Sequence, residues 1–128
     1  MNNTEVAYGC YSVTRLDIAN HSKLGELNNE MKYVYTLCYI NNTMLATGNA
    51  NGSIHIFSLE NNKKTHRIEE SCLPVRSICH DKDNNRLIYG CDDLHINMID
   101  MEKMRVFNTL VGHGDYISNI YSANGLYY

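Results

Sequence analysis

An internal repeat constrains the fold of this chain more than any other feature of its sequence. The segment from Tyr33 to Leu59 returns about 41 residues later as the segment from Pro74 to Met101. A third copy opens at Tyr116, and the tail of an earlier copy lies at Asp17-Ile18. Corresponding positions of the two long copies carry similar residues: Val34 and Val75, Leu37 and Ile78, Leu45 and Leu87, Asn51 and Asp93, Ser58 and Asp100. Repeats of roughly 40–45 residues that contain several short strands are typical of β-propeller blades.

Each long copy contains four short segments with the composition of β-strands, separated by turn residues. The strands predicted in the first copy are 34–40, 44–48, 54–59 and 65–68. Those predicted in the second copy are 75–79, 86–90, 96–99 and 106–110. Asn51-Gly52 is a strong hairpin signal because both residues tolerate positive φ, and Asp92-Asp93 takes the equivalent turn. We therefore predict an all-β fold, a partial β-propeller made of consecutive four-stranded antiparallel blades.

The whole chain, residues 1–128, is expected to form one propeller segment. Its predicted parts are 11–30 as the tail of a preceding repeat, 31–70 as the first full repeat, 71–112 as the second, and 113–128 as the start of a third. This material amounts to about three blades, whereas a closed propeller needs roughly four to eight. The alternatives are a fragment of a longer protein, self-assembly of copies through their open blade edges, or a truncated product without a function of its own.

The charge and the hydropathy of the chain argue against several classes of partner. A net charge of −3 and a pI near 6.0 disfavour an extended basic surface for nucleic acid. The amino end lacks the apolar core of a signal peptide, and no stretch approaches the about 18 apolar residues that span a membrane. We expect a protein of the cytoplasm, the nucleus or both, with protein partners, no direct nucleic-acid contact and no membrane.

The cysteines and histidines do not have the spacing of metal ligands. The five cysteines contain no CxxC pair, and the six histidines do not pair with cysteines or acids at a metal-binding spacing. Cys38 and Cys79 occupy equivalent strand positions, which suits reduced residues of a hydrophobic core. The sequence therefore predicts no metal site and no cofactor.

The residues that could support catalysis are not arranged as a catalytic motif. Ser71, Cys72 and His80 lack the spacing of a nucleophile with its base, and no glycine-rich phosphate loop precedes a helix. A propeller hydrolase, the alternative, would need acids or histidines at equivalent strand starts in several repeats. Only Arg76 and Asp115 come near such a place. We expect that the protein is not an enzyme.

Several short motifs at equivalent places resemble the WD-repeat β-propeller family. They are Gly112-His113 before Tyr116-Ile117, and the strand endings IHIFSL and INMIDM. The resemblance implies a non-catalytic scaffold for protein–protein interaction within a multi-subunit complex. The order of the segments is most similar to WD-repeat subunits of complexes for RNA decay and for transcription elongation, and another WD-repeat adaptor is the alternative.

The resemblance also implies a structural hydrogen-bond network. In the family, a His, a turn Asp, a strand Ser or Thr and a Trp form this network within one repeat. His113, Asp93 and Thr47 match three of these positions, each in a different repeat. Phe57 and Ile99 stand where the Trp is expected, so packing is expected to replace the network in the two full repeats.

Partner binding in the family uses the narrow face where the loops that enter the first strand meet the turn between the second and third strands. The residues of this chain that match that face are Tyr33, Ala50, Pro74, Asp92 and Tyr116. Tyrosine suits such a surface because it combines a large contact area with a low rotamer entropy and a polar tip. These five residues are the predicted partner-binding site.

Overall fold

A computed structural model describes residues 5–9, 12–17, 22–28, 33–69, 73–111, 114, 120, 122–123 and 126–127. Within these ranges the chain forms thirteen strands and no helix that could span a membrane. The strands are β1 (Glu5–Gly9), β2 (Ser12–Asp17), β3 (Ser22–Asn28), β4 (Val34–Asn41), β5 (Met44–Asn49), β6 (Ser53–Ser58), β7 (Lys63–Glu69), β8 (Val75–Asp81), β9 (Arg86–Cys91), β10 (Ile96–Asp100), β11 (Arg105–Leu110), β12 (Ser122–Ala123) and β13 (Leu126–Tyr127).

Two four-stranded sheets dominate the structure, and each pairs its strands in chain order. Strands β4 to β7 form the first sheet, which we call blade 1, and strands β8 to β11 form the second, blade 2. All neighbouring strands of both blades are antiparallel. The prediction of an all-β fold with consecutive four-stranded antiparallel blades is confirmed.

A three-stranded sheet precedes the two blades and contains one strand that the sequence did not predict. Strands β2 and β3 form a hairpin, and β1 pairs with β2 from Glu5 opposite Asp17 to Gly9 opposite Val13. The segment of β1 is only five residues long and is stabilised as a strand by pairing with a partner. Such pairing is not visible in local composition, because strand propensity depends strongly on context.

Alternating side chains give blade 1 two apolar faces. Ile54 and Ile56 point toward blade 2 and belong to a cluster that we call the interblade core. Its buried residues are Ile40, Ala46, Ile54, Ile56, Ile68, Val75, Ile78, Leu87, Tyr89, Cys91, Ile99 and Met101. Leu45 and Phe57 lie on the opposite face and pack with Leu27 of β3. Both faces of blade 1 are therefore covered by neighbouring sheets.

Equivalent residues of the two blades face in the same direction. Leu87 corresponds to Leu45 and packs back against blade 1 in the interblade core. The next residue, Ile88, lies on the opposite face of blade 2 and packs with Met98 and Ile120. Each blade thus buries one face on the segment before it and the other on the segment after it, as stacked repeat units do.

The order of strands in each blade distinguishes an inner from an outer edge. Strands β4 and β8 pack against each other and are the inner strands. Strands β7 and β11 lie at the far ends of the two sheets, and most of their side chains are exposed. We call the ends at which β4 and β8 begin the upper ends of the blades, and the ends at which they finish the lower ends.

Both outer strands contain a bulge at the equivalent place. The pairing of β6 with β7 skips Thr65, and the pairing of β10 with β11 skips Phe107. The Thr65 hydroxyl donates a hydrogen bond to the carbonyl of Ile56 at 3.2 Å. Phe107 instead remains exposed beneath the guanidinium of Arg86, whose central carbon lies 5.2 Å from the ring centroid.

The close approach of the two blades makes Gly48 on β5 sensitive to substitution. A Cβ at this position would lie 2.5 Å from Cγ1 of Val75 and 2.6 Å from Cγ2 of Thr36, whereas a Cβ at Gly114 would meet nothing within 4 Å. We expect Gly48→Ala to lower the free energy of unfolding by about 1–3 kcal/mol because overpacking displaces β8. Urea titration monitored by circular dichroism measures this change. Gly114→Ala is the control, and equal midpoints for the two variants would contradict the close packing.

Candidate functional site

Four of the five predicted partner-binding residues lie at the upper ends of the blades, in two equivalent pairs. The backbone N–H of Ala50 donates to the carbonyl of Tyr33 at 2.9 Å. The backbone N–H of Asp92 donates to the carbonyl of Pro74 at 3.0 Å. Each bond joins the start of an inner strand to the turn after the next strand. Tyr116, the fifth residue, lies outside the described residues.

Short side chains shape the two upper turns. Asn51 Oδ1 accepts hydrogen bonds from the backbone N–H of Ser53 at 3.2 Å and from its hydroxyl at 2.6 Å. Asp93 Oδ1 accepts from the backbone N–H of His95 at 3.0 Å. Such Asx turns explain why Asn and Asp occupy these equivalent positions. The middle residue of each Asx turn has a positive φ. In blade 1 this residue is Gly52, with φ at 88°, and in blade 2 it is Leu94, with φ at 68°.

An arginine links the two inner strands at their upper ends. Nε and Nη2 of Arg76 donate to the two carboxylate oxygens of Asp92, each at 3.0 Å. The same guanidinium lies over the ring of Tyr35, 4.7 Å from its centroid. Tyr35 and Arg76 hold equivalent places on β4 and β8, so the repeat could have revealed their proximity. The predicted site nevertheless did not include Tyr35. Arg76 is 43% exposed, which limits the stabilisation from its ion pair to about 1 kcal/mol or less.

Exposed apolar side chains are concentrated at these upper ends. Six large apolar residues of the described ranges are exposed, and only Phe107 lies toward the lower ends. The other five, with their exposed fractions, are Tyr33 (46%), Tyr35 (46%), Leu73 (40%), Leu110 (41%) and Val111 (76%). Leu73 precedes β8, while Leu110 ends β11 at the level of the upper turns and Val111 follows it. Together with Pro74, Arg76 and Asp92 they form what we call the upper face.

Blade 1 contains a buried polar cluster that the sequence did not predict. Nδ2 of Asn49 donates to the carbonyl and to the hydroxyl of Ser53, at 3.0 and 3.1 Å. Nε2 of His55 lies 3.2 Å from the same hydroxyl. Because that hydroxyl donates its single hydrogen to Asn51, Nε2 of His55 is the donor in this contact. The cluster lies at alternate positions around the hairpin, which is the signal that could have identified it.

The two predicted network residues that the structure describes, Thr47 and Asp93, lie in different blades. Thr47 is buried in blade 1, and its hydroxyl has no hydrogen-bond partner within the described ranges. Asp93 bonds within its own turn in blade 2, where Oδ2 also lies 3.7 Å from Nδ1 of His95. His113 lies outside the described residues. Phe57 and Ile99, at the predicted Trp positions, are buried among apolar side chains.

Two cysteines lie near the lower ends of the inner strands, and both remain protonated at neutral pH. Burial, and secondarily the proximity of Cys79, raises the pKa of Cys38 from 9.0 to about 12. Burial, and secondarily the carboxylate of Asp81, raises the pKa of Cys79 to about 11. A thiolate is the reactive form of cysteine, so these thiols are poor nucleophiles at neutral pH. No described cluster of three or more His, Cys, Asp or Glu residues could hold a metal ion.

The contact between Tyr35 and Arg76 is expected to couple the two blades energetically. In a double-mutant cycle with Tyr35→Leu and Arg76→Met, we expect a coupling free energy of about 0.5–1 kcal/mol, as for an exposed cation–π pair. Urea denaturation of the four proteins measures it. A matched cycle pairs Tyr35→Leu with Arg105→Met on the outer strand β11, and its two effects should add. Equal coupling in both cycles would contradict a specific contact.

The raised pKa of Cys38 predicts a loss of stability at alkaline pH. Between pH about 9 and about 12 the folded chain keeps the thiol proton that the unfolded chain has lost. The contribution of this thiol to the free energy of unfolding is therefore fully present below pH about 9 and declines as the pH rises toward about 12. We expect the free energy of unfolding to fall less steeply over this range in Cys38→Ala than in the unsubstituted chain. Urea titrations at several pH values compare the two slopes, and parallel slopes would contradict the shift.

A comparison with known proteins gives one relevant similarity. No protein-family model matches the chain. The WD repeat-containing protein SL1-17 of Schistosoma mansoni is 31% identical to it over 99 residues, which are 77% of this chain and 32% of that protein. The chain therefore spans about a third of the length of the relative it matches. This similarity and the two stacked four-stranded sheets agree with the resemblance of the chain to WD-repeat proteins.

Proposed function

We propose that this chain is part of a non-catalytic scaffold that binds other proteins through its upper face. The observation that carries the proposal is the concentration of exposed Tyr, Leu and Val side chains at the upper ends of the blades. Contiguous exposed apolar patches on globular proteins commonly mark interaction sites. The similarity to a WD repeat-containing protein supports a protein-interaction role in general.

The chemistry of the upper face suits protein binding better than catalysis. Tyr33 and Tyr35 can bury large rings against a partner while their hydroxyls stay solvated. The charged side chains nearest to them, Arg76 and Asp92, satisfy each other through a bidentate ion pair. Such a pair can orient a partner through its remaining donors and acceptors.

We further propose that the partners belong to a multi-subunit complex of the cytoplasm or the nucleus. The order of the repeat segments is similar to that of the small WD-repeat subunit of the Ski complex, which assists RNA decay and is shared with the polymerase-associated factor complex in many eukaryotes. Another WD-repeat adaptor is the alternative. Because the chain covers about a third of its relative, we propose that further repeats or further copies complete the ring.

An affinity-capture experiment tests the role of the upper face. The tagged chain and its Tyr33→Ala/Tyr35→Ala variant are incubated with extract from the source cells, and the captured proteins are quantified by mass spectrometry. We expect the variant to lose most of its specific partners, because aromatic anchors contribute about 2 kcal/mol or more each at protein interfaces.

Phe107→Ala provides the matched control. Phe107 is as exposed as Tyr33 and Tyr35 but lies toward the lower ends of blade 2. We expect this variant to capture the same proteins as the unsubstituted chain, with all three proteins giving the same circular-dichroism spectrum. Capture that is unchanged by the double substitution, or reduced equally by Phe107→Ala, would rule out the upper face as the binding site.

A further inference from the structure

A groove separates the lower ends of the two inner strands, at the opposite end of the blades from the upper face. Its volume is about 460 Å³, and it lies between the last residues of β4 and the last residues of β8. The most buried side chains in its wall are Ile40 and Ile78, and the thiols of Cys38 and Cys79 lie beside them. The groove is therefore open to solvent but has an apolar wall wide enough for a side chain of a partner.

Among the described residues that line this groove, Lys82 carries the formal charge. Lys82 and His80 line it, and none of the described lining residues is an Asp or a Glu. Lys82 is exposed and forms no ion pair with a described residue. The two acids adjacent to Lys82 in sequence do not line the groove: Asp83 is exposed, and Asp81 is only 2% exposed and accepts hydrogen bonds from the backbone and side chain of Asn84, at 3.4 and 2.8 Å. We call the side of the groove that carries Lys82 the basic rim.

A second depression at the lower end of blade 2 shows that the basic rim is not a general feature of this end. That depression, of about 240 Å³, is lined by Asp100 and Glu102 together with Arg86. An acidic ligand would meet two carboxylates there, whereas it would meet none of the described carboxylates in the groove between the blades. The two sites therefore have opposite preferences for a charged ligand.

We propose that the groove between β4 and β8 binds an extended acidic segment of a partner protein. An apolar side chain of that segment packs against Ile40 and Ile78, and a neighbouring carboxylate pairs with the ammonium group of Lys82. Nε2 of His80 is held by Oδ1 of Asn85 at 3.2 Å, which keeps the imidazole at the rim. The proposal is independent of the upper face, because no residue of the groove belongs to that surface.

Fluorescence anisotropy with three labelled synthetic peptides tests the proposal. The first peptide alternates Glu with Leu, the second alternates Lys with Leu, and the third alternates Glu with Ser. We expect the full chain to bind the Glu–Leu peptide and to bind the other two at least about tenfold more weakly, because both the charge and the apolar contact are needed. Equal affinity for the Lys–Leu or the Glu–Ser peptide, or no binding of the Glu–Leu peptide, would overturn the proposal.

Substitution of the rim lysine locates the binding site. Lys82→Glu should weaken binding of the Glu–Leu peptide by about tenfold, since it replaces an attraction by a repulsion. Lys82→Arg should retain binding, and Lys103→Glu, which reverses an exposed charge in the turn before β11, should have no effect. Tyr33→Ala/Tyr35→Ala should also bind normally, which separates this site from the upper face. An unchanged affinity in Lys82→Glu would place the peptide elsewhere.

Thiol protection provides a second readout in the same groove. The Glu–Leu peptide should slow the alkylation of Cys79 by N-ethylmaleimide, measured by mass spectrometry of the digested protein. Cys91 is buried and does not line the groove, so its slow labelling should not change. Peptide binding without any protection of Cys79 would overturn the assignment of the site to this groove.

Discussion

The structure depends on the burial of both faces of the two blades against neighbouring parts of the chain. Ile54 and Ile56 of blade 1 interlock with Leu87, Tyr89 and Ile99 of blade 2, and all five side chains are almost fully buried. Burying one large apolar side chain contributes about 1.5–3 kcal/mol, so the interblade core outweighs any exposed ion pair in the chain. A single blade would leave two apolar faces in water, and the repeat is therefore stable only as a stack.

This dependence explains which features the sequence could predict. The repeat of about 41 residues and the alternation within each strand reflect the stacking directly, so the strands of both blades and the buried Phe57 and Ile99 were accessible from the sequence. The pairing that stabilises β1 was not accessible from composition, and the polar cluster of Asn49, Ser53 and His55 was marked only by the alternate spacing of its residues. They depend on strand register and side-chain rotamers, which have no separate signature in composition.

The two ends of the blades carry different chemistry although the same inner strands build both. At the upper ends, Tyr35, Arg76 and Asp92 form one exposed contact within a largely apolar surface. At the lower ends, the polar residues lie around a groove whose basic rim includes Lys82. Because β4 and β8 are fixed by the interblade core, both surfaces are held on rigid strands, and this rigidity lowers the entropic cost of binding at either one.

The bulges at Thr65 and Phe107 have a consequence for how this molecule can grow into larger assemblies. Each one interrupts the regular ladder of its outer strand and increases the local twist. A twisted and interrupted rim is a poor template for another strand, which is how natural sheets resist edge-to-edge aggregation. Association of further sheets is therefore directed along the stacking axis, where apolar surface is offered, and away from the circumference.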